Sequence, residues 1–427
     1  MHLSLMDAKL HADSSAQIGA VLHLIGDPPH VDELRTHVAA RIKSVPAWGM
    51  TIAGRGDQAR WAAVPLDLEH HVRSRCLPPG RTLEDGLVHE LQHKPFSAER
   101  PQWDLTLLTG HAPGRYAIMY RVNHGLMDGA AVIRAAEVLF GPSQISPAQS
   151  AALAPGLSKA PKPSRLLVAA TLAREVRAFA QSGPWRHESL TYSDERVSKR
   201  TTVPADLLRL TARPHGGTSN DVFLAALALT LSRWINEHVP GQSAGHVQIA
   251  AAVNVRRPDE IDHPGNRIGL ANIQLPCSDT ATPEHLRLVS EATGVLRSPT
   301  HRAAMYQITR HAPRFAVKPA TRWFTSAKRP NVMTSYMALR HPMSFRGAPV
   351  HAVDPVTVLP AGCPLSVVLL RYQDQATAHF VSDKALPDLD TLNDAWGKAV
   401  HALADGLAHT DDTALADTVA RDPSLRC

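Results

Sequence analysis

The chain predicts an α/β protein of two lobes, each an α+β layering of a sheet with helices. Three observations carry that reading. Strand-like and helix-like apolar patterns interleave along the sequence, as expected where helices cover sheets. One Pro-, Ser- and Ala-rich stretch, "GPSQISPAQSAALAPGLSKAPKPSR" at 141–165, interrupts the alternation and reads as a linker. And 427 residues exceed what one core supports, since single cores stop growing near ~250–300 residues. The predicted domains are 1–165, ending in the linker 141–165, and 166–427.

The elements follow in order. "VDELRTHVAARIK", 31–43, has Leu34, Val38 and Ile42 on one helical face,. Residues 115–122 form a short apolar run with strand character, and glycine followed by helix formers from 129 to 140 predicts a helix. "RLLVAATLAREVRAFAQ", 165–181, is an amphipathic helix expected to pack on the body in preference to a membrane,. "TSNDVFLAALALTLSRWINEH" begins with three good N-cap types, Thr218, Ser219 and Asn220, and continues as an apolar helix,. "HVQIAAAVNV", 246–255, reads as a buried strand. "CPLSVVLLRYQDQATAHFVSD", 363–383, reads as a hairpin with Gln373-Asp374-Gln375 at its tip.

Composition narrows the function. Hydrophobic residues make up 44% and charged residues 20%, which is ordinary for a soluble globular protein. The net charge of +6 is dispersed, with no Lys/Arg block of the kind that binds nucleic acid; it suits small anions or a membrane surface. Cys76, Cys277, Cys363 and Cys427 lie far apart with no CxxC pair, so the expectation is a reducing cytoplasm, no disulfide framework and no metal. The longest apolar-rich run, Val222 to Leu231, is about half the length that spans a bilayer,. No signal peptide is read at the amino terminus. The expected location is cytoplasmic, at most peripheral at a membrane.

The chemistry concentrates in "VNHGLMDGAAV", 122–132. A strand stops at Asn123-His124, and Asp128-Gly129 opens a helix. A turn between rigid elements presents side chains to a cleft, and an imidazole with an ordinary pKa near 6.5 can accept a proton at neutral pH. His124 is thus the candidate general base. His70-His71 are expected on a strand, facing opposite sides and sharing no metal. His263 is expected on an exposed turn. The sequence has no G-x-S-x-G elbow, so a serine-hydrolase mechanism has no support,.

"NHGLMDG" resembles the HHxxxDG motif of the wax ester synthase/diacylglycerol acyltransferase family, within the superfamily of chloramphenicol acetyltransferases and peptide-synthetase condensation domains. Further segments resemble the family in order: "LSLMDAKLH" at 3–11, "PFSAERPQWDL" at 95–105, "SNDVFLAAL" at 219–227, "VNVRRPDEIDHPGNRIGLANIQLP" at 253–276 and "GCPLSVVLLRYQD" at 362–374. Two departures stand out: Asn123 replaces the first histidine of the pair, and Gln102 replaces the leucine before Trp103.

The resemblance implies two chloramphenicol acetyltransferase-like lobes with a channel between them, and transfer of an acyl group from acyl-CoA to an alcohol of the fatty alcohol or diacylglycerol type. Acyl-CoA would be a co-substrate, with no bound cofactor and no metal. It further implies His124 as base, with Asp128, Gly129 and Arg257 supporting the site and Asp128 paired to Arg257. Asn123, Asn220 and the backbone N–H groups near Gly129 are candidates for holding substrate or the oxyanion. Asn220 could equally cap its helix, with Asp221 a favourable charge there. Two alternatives remain open: a natural-product tailoring or condensation enzyme, forming an ester or amide from a CoA or carrier-protein thioester, and a non-catalytic lipid-binding relative. With both lobes in one chain a monomer suffices, and a homodimer is equally compatible.

Overall fold

The computed structural model describes residues 3–13, 16–54, 58–78, 82–83, 94–142, 162–180, 187, 190–193, 195–241, 245–311, 332–360 and 363–421. Most of the linker, 143–161, lies outside them, as does Cys427. Cys76 and Cys277 are free thiols.

Two six-stranded sheets organise the chain. At the centre of the first, β1 (Gln17–Ile25) and β6 (Arg115–Asn123) run antiparallel with Gln17 opposite Asn123. β5 (Trp103–Thr109) flanks β6 antiparallel, and β4 (Val72–Cys76) lies parallel to β5. On the far side of β1 stands β12 (Ala348–Val356), edged by β11 (Ser344–Phe345). The second half of the sequence therefore supplies strands to both sheets. A cut at 165 separates β11 and β12 in sequence from the sheet they complete. A separate hairpin pairs β2 (Met50–Ala53) with β3 (Arg60–Ala63).

The second sheet has the order β7 (Arg196–Pro204), β14 (Gln375–Asp383), β13 (Leu365–Tyr372), β10 (Val332–Ala338), β8 (His246–Asn254), β9 (Ile268–Pro276). β10 runs parallel to both neighbours, and the remaining pairings are antiparallel. The predicted hairpin is β13–β14, with Tyr372 opposite Gln375. Helix α7 (Ser219–His238) crosses this lobe's core, buried on nearly every side from Asp221 to Ile235. Its uniform apolarity is that of a helix with little solvent face.

Each sheet has its own core. Trp48, Trp103, Tyr120 and Phe140 anchor the first, and Phe223, Phe380 and Trp396 the second. Beneath β6 the aromatic rings form a stack: Trp103 lies 3.9 Å from Trp48 and 4.4 Å from His71, ring centre to ring centre. Trp48 Nε1 donates to Tyr120 Oη at 3.0 Å, and that hydroxyl donates to Met127 Sδ at 3.2 Å. Each buried polar tip thus finds a partner, and the stack braces the turn that follows β6. The strand expected for His70-His71 is instead a helical turn, α3 (Leu68–His71), capped by Asp67. His71 Nδ1 is satisfied by the Trp103 carbonyl oxygen at 2.8 Å.

Candidate active site

The turn 124–128 joins β6 to helix α4 (Gly129–Phe140), the span predicted from sequence. His124 is half-buried at its start. Its backbone is clamped from both sides: the N–H donates to Ala16 O at 2.7 Å, and the carbonyl accepts from Asn266 Nδ2 at 2.7 Å. The ring's Nδ1 is shut off from solvent and takes no hydrogen bond among the described residues. Among the described residues no carboxylate holds this imidazole; its setting comes from the backbone.

Asp128 is committed to partners other than His124. It is the N-cap of α4, with Oδ1 accepting from Ala131 N at 2.9 Å. Its Oδ2 accepts from Arg256 Nη2 at 2.7 Å and Arg267 N at 2.8 Å. Burial opposes the charge, but the Arg256 guanidinium and the hydrogen bonds from Arg267 and Ala131 more than reverse this and hold the carboxyl below its ordinary pKa,.

The arginine is not the one expected. Arg257 is exposed and pairs with Asp259 at 3.1 Å, its guanidinium 5.8 Å from the Tyr306 ring centre. Arg256 is buried, and besides Asp128 it donates to the carbonyls of Glu260 (2.8 Å), His263 (2.9 Å) and Gly265 (2.9 Å). Neighbouring residues in extended chain point to opposite sides, so a one-residue shift exchanges a buried partner for a surface one.

Asn123 is likewise committed elsewhere. Its Nδ2 donates to Asp13 O at 3.2 Å and His11 O at 3.5 Å, and its Oδ1 accepts from Gly125 N at 2.7 Å. It is 1% exposed, and the amide ties down the amino-terminal segment. Thr218, not Asn220, caps α7, in a reciprocal box with Asp221. Asn220 stays outside the hydrogen bonds joining residues 123–128 to 256–267. At Gly129 an added Cβ would lie 2.8 Å from Met337 Sδ, so the motif glycine leaves room for a side chain of the second sheet. His263 sits partly buried in a turn, its N–H on Glu260 O.

The segments 123–128 and 256–267 therefore meet as one unit. Gly265 N donates to Leu126 O at 2.6 Å, and Met127 bridges Gly265. Glu260 receives Arg267 Nε at 3.0 Å. Three members of this unit were not singled out from the sequence: Arg256, Asn266 and Asp7 of helix α1 (Leu5–Ala12). All three lie in segments that resemble the family, 253–276 and 3–11, and Asp7 also carries the Ser4-x-x-Asp7 capping box,. Among the described residues, no group of His, Cys, Asp or Glu is arranged to hold a metal ion.

Comparison with solved structures defines the class. Over 95% of the chain the fold matches a mutant starter condensation domain of rhizomide synthetase RzmA in complex with C8-CoA, at TM-score 0.65 and 15% identity, covering 94% of that chain. Over 94% it matches the wax ester synthase/diacylglycerol acyltransferase from Marinobacter aquaeolei VT8, at TM-score 0.60 and 19% identity, covering 98% of that chain. The protein has the two-lobed fold of condensation domains and their acyltransferase relatives. Its sequence matches the wax ester synthase/diacylglycerol acyltransferase catalytic domain over residues 8–182 and the WS/DGAT C-terminal domain over 264–404. The chain belongs to that family and is an acyltransferase. It is 23% identical to a Mycobacterium tuberculosis H37Rv protein named probable diacylglycerol O-acyltransferase tgs1, over 95% of both chains.

Proposed function

We propose that the protein transfers an acyl group from acyl-CoA to an alcohol of the fatty alcohol or diacylglycerol type, with His124 as the general base. The observation that carries this is the division of labour at the turn. Both Asp128 oxygens are occupied by Arg256, Arg267 and Ala131, so the imidazole is the group of the motif left to take a proton. With Nδ1 enclosed, Nε2 is the nitrogen offered to substrate.

An alcohol is too weak an acid to attack a thioester unaided at neutral pH. As its oxygen bonds to the acyl carbon, its proton passes to His124 Nε2, a contribution of typically about 10²–10⁴-fold. The tetrahedral intermediate collapses with cleavage of the C–S bond, and the departing thiolate recovers the proton from the imidazolium. Ester and free CoA leave, and the imidazole is neutral again. The negative oxygen of the intermediate needs donors. With Asn123 committed to the backbone and Ala131 N donating to Asp128 Oδ1, the N–H groups of Gly129 and Ala130 are the remaining candidates from the motif.

The test is free-CoA release by the purified full chain from a long-chain acyl-CoA with a panel of alcohols. His124→Ala should lower kcat by at least about 10²-fold with folding retained. Equal CoA release by wild type and variant removes the base assignment. A second reading keeps the base and changes the acceptor to an amine, or the donor to a carrier-protein thioester; the likeness to condensation domains supports it. The same assay with amines, scored for amide, separates the two.

Among the described residues no helix is long and apolar enough to cross a membrane, and peripheral contact would bring a poorly soluble acceptor to the site.

A further inference from the structure

The amino-terminal helix α1 touches the turn of His124 through more than packing. Asp7 is 1% exposed although it lies on a short helix near the start of the chain. Its Oδ2 closes the capping box with Ser4 N at 3.3 Å, a task any surface N3 acid performs in water. Its Oδ1 faces the other way and accepts two hydrogen bonds from Asn266, from the backbone N–H at 2.8 Å and from Nδ2 at 2.9 Å. The second proton of the same Nδ2 goes to His124 O at 2.7 Å. Because Nδ2 faces two acceptor oxygens, the amide has only one workable orientation. Residues 7, 266 and 124, far apart in sequence, are thereby joined through a single amide nitrogen.

Two glycines show that the fold makes room for this contact. Gly265 has φ +85°, and a Cβ on it would stand 2.6 Å from Asp7 Oδ2. A Cβ on Gly125 would stand 2.4 Å from His11 N and 2.7 Å from Asp7 O, both backbone atoms of α1 that cannot swing aside. Asn123 adds its bonds to the His11 and Asp13 carbonyls at the end of the helix. The turn bearing His124 is thus seated between α1 on one side and the Gly265-Asn266 turn on the other.

We propose that Asp7 and Asn266 are positioning residues for acyl transfer. Asp7 orients the Asn266 amide, and Asn266 fixes the carbonyl, and hence the ring direction, of His124. This rests on the reading of His124 as base. The ring has no hydrogen-bond partner at Nδ1 to aim it, so the backbone clamp must do so. Displacement of a reacting group by about 1 Å costs on the order of 10²-fold in rate.

The experiment measures CoA release by the full chain with palmitoyl-CoA and an alcohol acceptor, separating kcat from KM, for Asn266→Ala, Asp7→Ala, Asp7→Asn, the Asp7→Ala/Asn266→Ala pair, Ser4→Ala and His124→Ala. Asn266→Ala should lower kcat roughly 10- to 100-fold with both KM values within about twofold. Asp7→Ala should do the same, Asp7→Asn should recover part of the loss through its remaining carbonyl oxygen, and the double variant should be no worse than the poorer single, as residues acting in one unit are non-additive. Ser4→Ala loosens the same helix end without touching Asn266 and should leave kcat unchanged. If Asn266→Ala is folded and turns over at the wild-type kcat while His124→Ala is inactive, the positioning proposal falls and the base assignment stands. Multiplicative losses in the double variant, or a kcat loss in Ser4→Ala matching that of Asp7→Ala, also overturn it. Wild-type turnover by His124→Ala removes the base and the positioning role together.

Discussion

Two buried aspartates invite comparison. Asp128 and Asp221 each sit at the start of a helix, each shows 0% exposure, and each is met by an arginine. Yet the arginine of Asp128 is 3% exposed and bonded on four sides, whereas that of Asp221, Arg297, is 41% exposed and comes from helix α8 (Pro283–Arg297) of the same lobe. Asp221 also draws hydrogen bonds from Thr218 and Thr293. The first pair ties the His124 turn to the strand-end of the other sheet; the second ties two helices of one core together. The same ion pair can hold a lobe together or build a site, and what it joins decides which.

The comparison can be broken most forcefully at Asp128. Asp128→Asn leaves Arg256 charged and buried without a counter-charge, a loss of about 3–5 kcal/mol. Denaturant unfolding should register it, and turnover should collapse with it. The pH dependence carries a sign. The folded-state pKa of Asp128 lies below its ordinary value of 3.8, so its stabilisation is complete above that value and is lost as pH falls through the folded-state pKa. Asp128→Asn should therefore flatten the acid limb of the stability curve below about pH 4. An unaltered acid limb would mean that the pair is not intact in solution.

Arg256→Lys keeps the charge but offers one ammonium where a planar fork reached Asp128 and three carbonyls. A loss of about 2 kcal/mol is expected, with kcat falling more than Tm alone would account for. Asp221→Asn should cost about 1–3 kcal/mol, because Arg297 remains in contact with water. Its kcat, corrected for folded protein, should fall less than tenfold, and a collapse as deep as that of Asp128→Asn would erase the distinction. Arg257→Ala is the smallest effect: within about 0.5 kcal/mol and twofold in kcat, since the side chain is exposed and its ion pair is with the exposed Asp259. A large loss there would restore Arg257 to the site.

Much of this arrangement was legible beforehand, and the misses are instructive. The helix after Gly129, the strand 246–254 and the hairpin around 373–375 emerge where their patterns put them, because periodicity and turn residues are local signals. Arg256 and Arg257 are chemically identical, and only the direction of the chain after β8 tells them apart. Asn123 looks like a lost histidine in sequence; in the fold its amide is a fastener for α1. β12 joins the first sheet from more than 300 residues away along the chain from its partner β1, and no pattern internal to residues 348–356 announces which sheet it will complete.

The order of residues by itself determined the two-lobed α/β class, the helices and strands around the motif, and the His124/Asp128 pair at a strand-to-helix turn. These follow from side-chain periods and capping chemistry within a few residues of each other. Only the tertiary structure decided that Arg256 neutralises Asp128, that Asn266 links Asp7 to His124, and that residues 344–356 cross between lobes. Those contacts unite segments hundreds of positions apart, and burial selects among polar partners of equal chemistry by enclosing one and leaving the other in water.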